Sequence, residues 1–136
     1  MLRQLFIGSL VIAVTVAIQA EMFNILHRYF DLMMQVARRH LRRFANTGVI
    51  IVCMLYIMFI HTIEVWLWAG VLLLVGAIDA LEPAVYFSLT TYATIGFGDI
   101  TIGPEWRLLS ALIGANGLIL FGWSVAYMVE LVRRTA

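Results

Sequence analysis

Apolar residues run almost unbroken from Leu5 to about Leu26, from about Gly48 to Ile78, and from Trp106 to about Val132. A helix rises about 1.5 Å per residue, so each run is long enough to cross a hydrocarbon core of about 30 Å. The middle run would be about 46 Å long and must tilt or protrude at one end. Polar caps at 45–48 (ANTG) open it, and Asp79 closes it. Residues 22–45 keep a helical period, with Met22, Leu26, Tyr29, Met33, Val36, Leu41 and Phe44 near one face and a basic end. That pattern predicts a helix lying at the cytoplasmic membrane surface, whether separate from the first span or continuous with it. Residues 81–93 (LEPAVYFSLTTYA) predict a short helix, with Pro83 in its first turn and Glu82 facing the positive end of its dipole. At about 20 Å it is too short to cross. The order is span, short helix, loop, span, which is a re-entrant hairpin.

Composition places these runs in a membrane. The 136 residues are 63% hydrophobic and 12% charged, with a mean hydropathy of +0.97. A soluble domain carries about 25% charged residues, so an integral membrane protein is expected, without a separate soluble domain. All nine basic residues are Arg, and Arg38, Arg39, Arg42 and Arg43 cluster after the first run while Arg133 and Arg134 follow the last. Retention of basic residues inside predicts an outer N-terminus, a cytoplasmic C-terminus and a location in the plasma (inner) membrane. The first run could also be a signal peptide, since AIQA at 17–20 loosely fits a cleavage site, but the Arg asymmetry favours an uncleaved helix. The Arg cluster is too compact, and too far outside an apolar span, for a voltage sensor; contact with anionic lipid is the expected role. Residues 79–105 carry Asp79, Glu82, Asp99 and Glu105 and no base, which suits an outer vestibule that concentrates cations. Cys53, the single cysteine, reads as a small buried hydrophobe.

The loop TIGFG at 94–98 carries the chemistry. Irregular backbone at membrane depth occurs only where protein buries it or where it lines a water-filled path. Gly96 and Gly98 alternate with larger residues, and glycine takes positive φ at little cost. Such alternation lets successive carbonyls point the same way and form a stack of cation sites, with the Thr94 hydroxyl at its inner end. One chain supplies one oxygen per layer, so the stack needs about four chains around an axis.

TTYATIGFGDI, at 90–100, resembles the potassium-channel signature, with Ile95 and Phe97 at positions where its core usually has Val and Tyr. WRLLSALIGANGLILFG, from Trp106, is similar to that family's inner helix. The resemblance covers about residues 48–132. It implies a selectivity filter of Thr94, Ile95, Gly96, Phe97 and Gly98, with K+ held at Thr94, Ile95, Gly96 and Phe97 and with Asp99 bracing the outer mouth. It implies further that Leu118, Phe121 and Val125 line a cavity and that Gly117 is a hinge candidate, although close packing is an equal reading of that glycine. Gly114 and Gly122 read as packing glycines. The acidic partner that the filter Asp often has is replaced by Thr90, and the frequent pore-helix Trp pair by Tyr86 and Phe87.

His61 and Glu64 lie three apart near the middle of the second span, hence on one face. At that depth an ionisable residue costs about 2.5–3.5 kcal/mol and needs a partner, for which Asn116 is the candidate on the third span. Such a pair could sense pH or serve only as a structural tie. Trp66, Trp68 and Trp106 are expected at the lipid or the outer interface.

The expected protein is all-α, with three transmembrane helices, a pore helix and a re-entrant filter loop, assembled as a four-fold homotetramer. Residues 1–47 form the N-terminal membrane helix plus the basic surface helix. Residues 48–136 form the pore domain: outer helix 48–78, pore helix 81–93, filter 94–99 and inner helix 106–132. No catalytic dyad, metal cluster, phosphate loop or nucleic-acid-binding pattern is present in the sequence, so an enzyme is not expected, and no cofactor beyond K+ as the permeant ion. With two residues after Arg134, a cytoplasmic ligand-binding gate is not expected either. The alternatives are a weakly selective monovalent cation channel and a non-conducting scaffold or regulatory subunit.

Overall fold

The computed structural model describes residues 1–135, and among them the only regular elements are helices. Three are long: α1 (Leu2–Leu41), α2 (Ala45–Leu74) and α4 (Arg107–Thr135). One is short: α3 (Leu81–Tyr92). Two helical stretches are long and apolar enough to cross a membrane, Leu2–Leu74, which contains α1 and α2, and Pro104–Thr135.

The surface helix expected over 22–45 is not a separate element. α1 continues without a break for 40 residues, about 60 Å at the usual rise. The reason is a single buried stripe: Gly8, Val11, Thr15, Gln19, Phe23, Leu26, Phe30, Met34 and Ala37 recur every three or four residues. Its lower half packs on Ala45, Val49, Cys53 and Leu131, so protein rather than lipid headgroup covers it. The face chosen from the sequence is rotated from the true one, since Tyr29 and Val36 are exposed while Phe30 and Ala37 are buried.

α1 runs parallel to α4 along nearly its whole length. The Gln4 carboxamide oxygen accepts the backbone N–H groups of Leu108 and Leu109, at 2.9 and 3.1 Å, and so caps α4 from another helix. Further along, Thr15 pairs with Asn116, the Gln19 amide donates to the Leu120 carbonyl, Phe23 stacks on Tyr127 at 4.2 Å, and Arg134 bonds Asp31. α2 returns antiparallel after a 3₁₀ turn over Arg42–Phe44.

α2 ends at Leu74, short of the expected Ile78. Gly76, at φ +70°, ends it: Gly76 N–H donates to Leu73 O and Ala77 N–H to Leu72 O, the paired bonds of a Schellman stop. α3 matches its expected bounds to within one residue. Of the tryptophans expected at the membrane boundary only Trp66 is exposed. Trp68 is fully buried, and Trp106 is buried beneath the Arg3 guanidinium. Both belong to the core that unites α1, α2, α3 and α4, with Leu72, Phe87, Leu109 and Ile113.

Candidate functional site

The 94–98 loop leaves the C-terminal end of α3 on three hydrogen bonds. Thr94 N–H donates to Thr91 O, while Ile95 and Gly96 N–H both donate to Thr90 O, at 2.8 and 3.1 Å. Beyond that point the backbone alternates in hand. Thr94, Gly96 and Gly98 have φ of +57°, +56° and +79°, and Ile95 and Phe97 between them do not have positive φ. In a strand successive carbonyls point to opposite sides; a change of hand at every residue turns them to the same side. No hydrogen bond among the described residues ends on a carbonyl of 94–98. These oxygens are free to serve a ligand outside this chain. The sequence anticipates positive φ at the two glycines but not at Thr94, where a β-branched residue rarely adopts it. The Thr94–Thr91 bond at the foot of the loop holds that strained conformation.

Asp99 closes the loop, and its carboxylate accepts the Tyr86 hydroxyl at 2.8 Å. A phenol on α3 thus braces Asp99, while the Thr90 hydroxyl turns back to the Tyr86 and Phe87 carbonyls of its own helix. The bond to Asp99, reinforced by desolvation and by the charges of Asp99 and Glu82, holds the Tyr86 phenol above its ordinary value. The sign follows: the phenol is protonated below its raised value and donates there, and the brace is lost only as pH rises through that value. An unperturbed tyrosine titrates at about 10, so between about pH 7 and 9 any property that depends on this brace should differ between wild type and Tyr86→Phe by a constant factor. Profiles that converge inside that window would mean the phenol is already ionising.

On α4, Leu118 and Val125 are 64% exposed, an apolar face without a partner inside the chain. Phe121 departs from the expectation that groups it with them. Its ring lies 4.4 Å from that of His61 and 5.3 Å from that of Tyr92, turned toward α2 and α3. Gly117 is buried, and a Cβ there would collide with the carbonyl oxygen, carbonyl carbon and ring of Tyr92. α4 passes through Gly117 as one continuous helix, so close approach is what the position requires. Gly114 sits in ordinary packing contact with the Thr91 carbonyl, whereas Gly122 has open space around it within the chain and is no packing glycine there.

His61 and Glu64 come together as the spacing requires, with Nδ1 donating to Oε2 at 2.9 Å. Tyr92 donates its hydroxyl to the same oxygen at 2.5 Å, and His61 Nε2 meets the Ser124 hydroxyl at 2.9 Å. All four residues are at least nine-tenths buried. Asn116 is not their partner. It faces α1, where its amide and Thr15 bond each other. The helical phase explains this: Ser124, on the side facing α2, lies eight residues after Asn116, which is about 80° round the helix. Tyr92 and Ser124 were missed because both read as routine helix residues in the sequence. The Arg38, Arg39, Arg42 and Arg43 side chains are exposed around the turn between α1 and α2. No group of three or more metal-ligating side chains occurs among the described residues.

Residues 48–134 match a family described as an ion channel. No curated protein and no solved structure matches the chain.

Proposed function

The chain belongs to this ion-channel family, and from that membership we propose that it conducts potassium ions passively across the membrane through a carbonyl filter at residues 94–98. The observation that carries the reading is the alternation of left-handed residues at Thr94, Gly96 and Gly98, beside carbonyls that accept no hydrogen bond within the chain. Four copies around an axis would turn each carbonyl into a ring that replaces the water of a dehydrated cation. The Thr94 hydroxyl adds the innermost ring, and Asp99, braced by Tyr86, holds the outer mouth. Leu118 and Val125 on the unpartnered face of α4 line the inner cavity. α1, α2 and α4 each cross the membrane, with the N-terminus outside and the C-terminus in the cytoplasm. Arg38, Arg39, Arg42 and Arg43 meet anionic lipid at the cytoplasmic surface.

The test is ion flux into liposomes that hold purified protein. Potassium should enter and sodium should be excluded, and barium, which fits a potassium site but leaves it slowly, should block. Equal entry of sodium would leave a weakly selective cation channel. An absence of flux for either ion would favour a non-conducting membrane subunit that keeps the pore fold.

A further inference from the structure

Tyr92 is the last residue of α3 and stands two residues before Thr94, where the loop begins. It is held on two sides. Its carbonyl rests on α4 at Gly117, where not even a methyl group would fit. Its hydroxyl reaches the Glu64 carboxylate of α2 and lies 3.0 Å from His61 Nδ1. His61 carries the chain of bonds back to α4 through Ser124. The foot of the loop is therefore tied to α4 twice, once by direct contact and once through a relay of three polar side chains.

Two features set the relay apart from ordinary core packing. Both hydrogen bonds to Glu64 end on Oε2, and Oε1 has no partner among the described residues. The relay is also continuous: His61 Nδ1 lies on the Glu64 carboxylate and Nε2 on the Ser124 hydroxyl, so a single ring joins α2 to α4. The Phe121 ring lies over it at 4.4 Å from the imidazole.

We infer that Glu64, His61 and Ser124 are positioning residues for the filter: they fix Tyr92, and through it the Thr94 end of the carbonyl stack, relative to α4. This rests on the channel reading proposed above. A displacement of α4 at Ser124 is passed through the imidazole and the carboxylate to the residue from which the filter hangs. The three side chains set ion preference without touching an ion.

The experiment measures potassium and sodium permeability of the full chain in liposomes, beside thermal unfolding and tetramer content in detergent. Tyr92→Phe keeps the ring and removes the hydroxyl, and Ser124→Ala removes the tie to α4. Each should lower the potassium-to-sodium permeability ratio by about tenfold, the scale of one buried hydrogen bond. Combining them should cost little more than either alone, because both cut one relay. Ser124→Thr, which keeps the hydroxyl, should retain the wild-type ratio. Variants that melt earlier yet keep the wild-type ratio would mark the relay as a structural tie and overturn the inference. A wild-type protein that fails to conduct would overturn the channel reading itself, whereas a conducting wild type with unchanged Tyr92→Phe and Ser124→Ala variants would overturn the inference alone.

Discussion

Replacing Gly96 with alanine should abolish potassium flux while leaving the helices folded. The site has room for a methyl group, since nothing lies within 4 Å of where the Cβ would stand. The obstacle is the backbone: Gly96 has φ +56°, a conformation that costs an L-residue roughly 1–2 kcal/mol. The loop can relieve that cost by rotating one peptide, and such a rotation turns one carbonyl out of the stack. In a four-fold assembly the cost and the lost oxygen recur in every subunit, so a whole ring of ligands is lost rather than one. Thr94 has the same handedness without being glycine, but the Thr94–Thr91 bond pins it at the foot of the loop. The Gly96 amide is pinned while its carbonyl is not, which leaves the next peptide free to turn. Flux at background level with unchanged circular dichroism is the expected outcome. Wild-type flux from Gly96→Ala would show that the 96 carbonyl is no ligand and would remove the main support for the filter.

The helix and loop over 81–99 were legible because their signals are local. TIGFGD with a thirteen-residue helical segment before it locates α3 and the loop to within a residue, since glycine spacing and Pro83 act where they stand. The same reasoning failed wherever the answer depended on a partner. The stripe of α1 from Gly8 to Ala37 is continuous in space, yet in sequence its lower half is as readily assigned to a lipid surface, because Tyr29 and Phe30 are aromatic neighbours on adjacent faces. His61 and Glu64 advertise themselves as polar groups inside an apolar run, but Asn116 was the wrong companion: it satisfies Thr15, on a helix whose course along α4 the sequence does not reveal. Gly76 was a missed local signal. It lies inside an apolar run, where hydropathy outvoted the one residue able to take the left-handed turn that ends α2.

Gly117→Ala should disrupt folding and assembly rather than merely alter opening. A hinge glycine is needed for its freedom, and alanine would stiffen it while leaving the resting structure intact. Here the added Cβ would meet the Tyr92 carbonyl, which is backbone and cannot swing aside as a side-chain tip could. Relief requires α3 and α4 to separate, which pulls on Leu109, Ile113 and Phe87 in the core they share. Overpacking of this kind costs about 1–3 kcal/mol in each subunit. Gly122→Ala supplies the control, because the same methyl group there meets open space within the chain and should be tolerated in the fold. Size-exclusion profiles and thermal melts of the two variants decide the matter. A Gly117→Ala protein that assembles and melts like wild type but conducts differently would restore the hinge. Loss of the tetramer in Gly117→Ala alone would make Gly117 the point where the inner helix carries the filter, because the carbonyl it accommodates belongs to the residue from which the loop descends.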